Sequence, residues 1–246
     1  MSSARNLRSF SALSFDCYGT LVDWETGVYN ALKPLCSRLD TSHPLKEDRI
    51  SLLNRYSYHS SRIQEREPTL LYDLLLGKVY IELAKELDLI DQISNEEATH
   101  FGESISTWPT HPDTIDALHR LKKHYKLVIL SNVDKASFNK TLAGQLAGVD
   151  FDAVYVAEEI GTYKPDLRNF EYLVDHVKAD LGIEKDKLLH TAYALFHDMV
   201  PATKIGLATC WIERLPNAIG HGYLRSELDL DFQFKTLGEM ADDAGV

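Results

Sequence analysis

The sequence predicts an α/β protein, a doubly wound parallel sheet interrupted after its first strand by a block of helices. Three observations predict it. A short apolar run, Ser11 to Phe15, ends abruptly in Asp16, with Gly19 and Thr20 turning the chain just beyond. From Gly27 to Trp108 apolar residues recur at helical spacing with no convincing strand. From Pro112 onwards strand-like and helix-like stretches alternate, the pattern of parallel strands joined by crossover helices.

The elements follow in order. Ser11 to Phe15 is an apolar run bounded by turn residues, hence a buried strand. Val28, Ala31, Leu32 and Leu35 mark a first helix, with a break around Thr41 to Pro44. Ile50, Leu53 and Tyr56 lie on a second helix that runs towards Arg66 and is stopped by Pro68. Leu70 to Leu89 is a third amphipathic helix and Glu96 to Trp108 a fourth. This block forms a separate helical unit, residues 25–108, set into a core of residues 1–24 and 109–246. His111-Pro112-Asp113 opens the next helix, with Ile115, Leu118 and Leu121 on its inner face. Lys126 to Leu130 is a strand ending at Ser131 and Asn132, and a helix runs roughly from Ala136 to Leu146. Phe151 to Val156 is a strand, followed by a loop through Gly161 to Lys164, Pro165 and Asp166. Leu167, Phe170, Leu173, Val174, Val177 and Leu181 line a helix that Gly182 ends. Lys187 to Leu195 is a strand leading into His197 and Asp198, Pro201 to Ile205 a short helix, and Leu207 to Ile212 a fifth strand. The tail beyond Arg214 carries no clear pattern.

Composition bounds the function. A chain of 246 residues with 44% hydrophobic and 26% charged content has the ordinary make-up of a globular protein with a good core. The formal net charge of -11 repels a nucleic-acid backbone and an acidic membrane, but leaves room for a small anion in a local pocket. No apolar run is long enough to cross a bilayer. Cys17, Cys36 and Cys210 are odd in number with no close pair, which indicates neither a disulfide framework nor a zinc site. Arg5 and Arg8 among serines hint at a transit peptide, but a strand starting near Ser11 leaves little room for one, so the expected location is cytoplasmic.

In a parallel sheet, chemistry gathers beyond the carboxyl ends of the strands. Asp16, Ser131-Asn132, Lys164 and His197-Asp198 all stand at or beyond such ends. A carboxylate nucleophile needs donors for an incoming anion and a positive charge beside it. Ser131 and Asn132 offer donors, Lys164 keeps Asp16 ionised, and Asp198 orients that lysine or a water. Taken singly each residue has a plainer explanation: Asp16 and Ser131-Asn132 as turn or helix caps, Lys164 as a solvated helix start, His197 as a half-buried imidazole and Cys17 as a small core filler. Together they are far more specific.

Residues Phe15 to Asp23, Ile129 to Asn132, Tyr163 to Asp166, and Asp198 resemble the four ordered motifs of the haloacid dehalogenase (HAD) superfamily. The resemblance spans nearly the whole chain and is closest to the type II branch, the L-2-haloacid dehalogenases, down to Thr209 to Ile212. It implies a Rossmann-like core with a helical cap. It also implies that Asp16 attacks an electrophilic carbon to give an ester that water hydrolyses, with Lys164 neutralising Asp16 and the bound anion. Thr20, Ser131 and Asn132 would hold oxygens of the substrate carboxylate or of Asp16, while Tyr18 and Trp24 line the pocket. The phosphatases of the superfamily carry a second aspartate where Tyr18 stands, and a phenol titrating near about pH 10 is a poor acid. Their magnesium site would retain Asp16, the Tyr18 carbonyl and Asp198, but no second acidic residue closely follows Asp198.

The dehalogenase pattern is also departed from. Tyr193 and Leu195 replace a serine and an asparagine, and Phe170 replaces a tyrosine. The halide-expelling arginine of the cap has no secure counterpart; Arg55 is nearest, with Arg49, Arg62 and Arg66 in competition. With the water-positioning residues changed, His197 is the expected base. The expected function is a metal-independent hydrolase acting on a small 2-substituted, 2-halo carboxylic acid through Asp16. Alternatives are a magnesium-dependent phosphatase, or a repurposed scaffold without turnover. The expected partner is a small anion, with no cofactor, nucleic acid or membrane; a homodimer is left open.

Overall fold

The computed structural model describes residues 6–214 and 226–246. Six strands form one all-parallel sheet in the order β3-β2-β1-β4-β5-β6. β1 is Ala12–Phe15, every residue of it buried. After it come four helices, α1 (Trp24–Cys36), α2 (Arg49–Arg66), α3 (Tyr72–Glu86) and α4 (Asn95–Glu103). Their ends carry local signals. Asp23 accepts from the Thr26 N–H, Asp48 from the Ser51 N–H, and Ser94 with Glu97 forms a capping box. Their inner faces, with Leu32 and Leu35 of α1, Leu52 and Leu53 of α2, Leu76 and Leu83 of α3 and Phe101 of α4, belong to the same apolar core as Leu13 and Phe15.

The alternating part begins with α5 (Thr114–Leu121), β2 (Lys126–Ser131) and α6 (Lys135–Ala143). Asp113 does not cap its own helix: its Oδ2 accepts the N–H groups of Leu237 and Gly238, and Arg214 donates to its Oδ1 at 2.5 Å. β3 is Ala153–Val156, and the loop expected after it holds one short helix, α7 (Ala157–Ile160). Next come α8 (Leu167–Leu181), closed by Gly182 in the left-handed conformation at φ 68°, and β4 (Leu188–Ala192). β4 stops three residues short of the strand expected from sequence, because the chain leaves the sheet at Tyr193 and makes a single wide turn over Leu195–Met199. α9 (Val200–Lys204) and β5 (Ala208–Ile212) follow. The tail that carried no pattern supplies an edge strand, β6 (Phe232–Phe234), and a last helix, α10 (Leu237–Asp243), while part of it lies outside the described residues. Among the described residues no helix is long and apolar enough to cross a membrane.

Because β1 is flanked by β2 on one side and β4 on the other, the chain reverses its winding at β1. The crevice beyond the carboxyl ends of such strands is where open α/β sheets bind ligands. Asp16 stands there.

Candidate active site

Asp16 follows the last residue of β1 and is almost wholly buried. Its Oδ1 accepts from Lys164 Nζ at 2.8 Å and its Oδ2 from the Thr20 hydroxyl at 2.8 Å. Thr20 Oγ in turn accepts the Tyr193 N–H at 2.9 Å, so the turn after β1 is tied to the chain leaving β4. Gly19, with φ 110°, lets that turn form, and a Cβ there would meet the Tyr193 ring at 2.9 Å.

Lys164 is 2% exposed, and its ammonium has three acceptors: Asp16 Oδ1, Asp198 Oδ1 at 2.6 Å and the Leu130 carbonyl at 3.1 Å. Its backbone is clamped by Asn132, whose Oδ1 accepts the Lys164 N–H at 2.7 Å and whose Nδ2 donates to the Lys164 carbonyl at 3.0 Å. Asn132 lines the pocket, but its amide works chiefly on the lysine loop. Asp198 Oδ1 also faces His190 Nε2 at 3.0 Å, while Asp198 Oδ2 and Ser131 Oγ are buried without a partner among the described residues.

The electrostatics divide the two carboxylates. Burial pushes the Asp16 carboxyl above the ordinary value; the Lys164 ammonium opposes this and Asp198 adds to it. Burial acts upward on Asp198 too, but Lys164 and His190 prevail and hold it low. Burial would deprotonate Lys164, yet the two carboxylates keep it charged, with its affinity for the proton raised. Asp16 is therefore the more basic, more nucleophilic oxygen pair of the two. Burial lowers the His197 imidazole and raises the Tyr18 phenol and the Cys17 thiol, leaving all three uncharged near neutrality.

Over this row lies a cavity of about 310 Å³. Tyr18, Trp24, Tyr56, Tyr72, Tyr193 and Phe196 give it aromatic walls. Ser57, Ser60, Ser61 and Gln64 of α2 give it a roof of neutral donors and acceptors. Tyr18 is held by stacking on Tyr72 and by a 2.9 Å hydrogen bond with Thr141.

The structure thus brings together Asp16, Thr20, Ser131, Asn132, Lys164 and Asp198, with Tyr18, Trp24 and His197 lining the same space. It does not bring Arg55 there. That side chain is 40% exposed, paired with Glu86 at 2.5 Å and laid over the Tyr58 ring. Arg49 binds Thr26 and Arg62 binds Tyr58, and among the described residues no arginine lines the cavity. Sequence reasoning passed over His190 and the roof of α2. The signals existed: a histidine inside an otherwise apolar strand, and Tyr56, Ser60 and Gln64 spaced four apart on one helix face.

The space between Asp16 and Asp198 is bridged by the Lys164 ammonium, and no group of three potential ligands occurs among the described residues.

Comparison with known proteins agrees with this geometry. The sequence model of a haloacid dehalogenase-like hydrolase matches residues 10–190. The (S)-2-haloacid dehalogenase of Pseudomonas sp. (strain YL) is 27% identical over 214 residues, covering 83% of each chain. The structure of the L-2-haloacid dehalogenase PA0810 superposes with a TM-score of 0.77 at 23% identity, over 96% of this chain and 99% of that one. The L-2-haloacid dehalogenase of Xanthobacter autotrophicus, in a structure with chloropropionic acid covalently bound, gives 0.73 at 18% identity over 95% and 97%. Parallel order, crevice and motif residues converge on one assignment: the chain belongs to the haloacid dehalogenase-like hydrolases.

Proposed function

We propose that this hydrolase works without a metal on a small 2-substituted carboxylic acid, with Asp16 as nucleophile. The observation that carries the reading is the row Thr20–Asp16–Lys164–Asp198, in which a buried carboxylate faces the cavity with its charge balanced from below. An Asp16 oxygen attacks C2, the bond from C2 to the substituent breaks, and the substituent leaves with the electron pair. Water then adds to the Asp16 carboxyl carbon, which releases a 2-hydroxy acid and restores the carboxylate. His197, uncharged and free of hydrogen-bond partners in the described structure, takes the proton of that water. The unpartnered Ser131 hydroxyl donates to the substrate carboxylate. Residues 25–108 serve as the cap, with α2 laid over the reacting atoms.

The roof narrows the substrate. It offers hydroxyls and an amide where a guanidinium would expel a soft halide, and the cavity is at the lower end of the range for ligand pockets, roughly 300–1,000 Å³. That space exceeds what a three-carbon acid fills, so the substituent on C2 extends beyond a methyl group under the aromatic walls.

The test is mass spectrometry of the protein after brief incubation with 2-halo acids of increasing chain length. A mass increase on the peptide bearing Asp16, lost in Asp16→Asn, is the expected outcome. Modification elsewhere, or turnover of phosphate esters with no adduct on carbon, would replace this reading with the phosphatase one. No reaction with either class would point to a scaffold that has lost turnover.

A further inference from the structure

Beneath the catalytic row lies a second, wholly buried row that the proposed reaction does not use. Ser14 on β1 and His190 on β4 are register partners in adjacent parallel strands, so their side chains leave the sheet on one face. Both are 0% exposed. Ser14 Oγ and His190 Nδ1 are 2.9 Å apart, and His190 Nε2 is 3.0 Å from Asp198 Oδ1. Phe170 packs edge-on against the imidazole, with ring centroids 5.3 Å apart at 90°.

The donor inventory fixes the bond to Asp198: an ionised carboxylate only accepts, so His190 Nε2 carries a hydrogen. In an uncharged ring Nδ1 then accepts from the Ser14 hydroxyl. Both nitrogens are used and Phe170 walls the ring, so the imidazole cannot turn. Asp198 Oδ1 therefore receives two donors, His190 and Lys164. Two strand-interior polar groups are costly to bury and would be pointless as filler, since an alanine and an apolar ring pack there without that cost.

We propose that His190, set by Ser14, is a positioning residue: by fixing Asp198 it holds the Lys164 ammonium against Asp16. This rests on Asp16 as the nucleophile. Lys164 has one charge to share between two carboxylates. A loose Asp198 would draw the ammonium away or turn its oxygens, and Asp16 would lose the partner that keeps it ionised and aimed.

The test uses single-turnover formation of the Asp16 adduct with 2-bromopropionate as probe, read by intact mass, together with thermal melting. His190→Phe is expected to slow adduct formation at saturating probe at least tenfold, with half-saturation unchanged. His190→Gln, whose amide can still donate to Asp198, is expected to recover the rate to within about threefold even where it melts no higher than the Phe variant. Ser14→Ala, a milder change that covers any failure of His190→Phe to fold, is expected to slow the step two- to fivefold. Equal rates in His190→Phe and the unmodified protein would overturn the proposal, as would a Gln variant no faster than the Phe variant. A substrate-free arm separates this from the nucleophile reading. In a nitrogen-15 NMR spectrum, the imidazole signal missing from His190→Gln should be a neutral ring protonated at Nε2 and should shift in Asp198→Asn. A ring protonated at Nδ1 and not at Nε2 would sink the positioning role. A protein that forms no adduct but shows the Nε2 pattern would instead refute Asp16 as nucleophile.

Discussion

On the proposed mechanism a single imidazole decides how the ester is cleared. His197 borders the cavity with no hydrogen-bond partner among the described residues, and burial, its largest influence, lowers its affinity for the proton below the ordinary value of 6.5. A base must be unprotonated, so the hydrolytic step should be flat above pH 6.5 and fall as the pH drops below it. His197→Ala should remove that limb and slow release of the 2-hydroxy acid, while adduct formation on Asp16 continues, so adduct accumulates. Stopped-time mass measurements across pH 5 to about 8 check both statements, and an unchanged second step would reassign the base. A paired comparison tests the anion site. Ser131→Ala removes a buried hydroxyl that has no partner among the described residues and should raise KM roughly tenfold, the size of one hydrogen bond to a charged group. Arg55→Ala should leave KM and kcat within about twofold, because its exposed guanidinium is spent on Glu86. The opposite ranking would return the arginine to the site.

At the scale of elements, the α2 face over the cavity is only as well placed as the helices that carry it. α3 and α4 approach so closely at Gly102 that a Cβ there would meet the Asp73 carbonyl oxygen at 2.3 Å. Helix propensity favours Gly102→Ala by up to about 1 kcal/mol. The clash is with backbone and cannot be relieved by a side-chain rotation, so a net loss of about 1–3 kcal/mol is expected. Urea unfolding reads it, and a stabilised variant would mean that the two helices are free to separate. Elements of this kind were legible where period and punctuation agree: α2 stops before Pro68, α8 stops at Gly182, and β1 stops at Asp16. They were illegible where tertiary partners decide. The apolar stretch after Lys187 continues through Leu195, but the Thr20 hydroxyl takes the Tyr193 N–H and Trp211 Nε1 donates to the Tyr193 carbonyl at 2.9 Å, which pulls the chain out of the sheet. Asp113 sits at the start of α5 with a helix-capping look, yet serves α10, more than a hundred residues away. The site divides in the same way. Asp16, Ser131, Lys164 and Asp198 announce themselves at strand ends, whereas the direction of Arg55 depends on Glu86 from another helix and could not be read from spacing.

For the whole molecule, the net charge of -11 and the balance inside the crevice pull in different directions. An acidic surface attracts divalent cations, and two carboxylates facing one cavity would ordinarily invite one. The fold answers this by delivering Lys164 from the loop between α7 and α8 to a point between carboxylates that follow β1 and β4. One fixed ammonium, pinned on a third side by the Leu130 carbonyl and clamped at its backbone by Asn132, is the counter-charge that both carboxylates share. On the proposed metal-free reading that ammonium does the work a metal would otherwise do. Adduct formation on Asp16 should therefore proceed at an unchanged rate in excess EDTA, and added magnesium should neither speed it nor elicit phosphate release. Lys164→Ala reverses the situation: it leaves two buried carboxylates facing each other, which should abolish adduct formation and make the variant's melting temperature rise with magnesium where that of the unmodified protein does not. If chelation instead silences the unmodified protein, the ammonium is not the counter-charge of the reaction, and the metal-free reading falls with it.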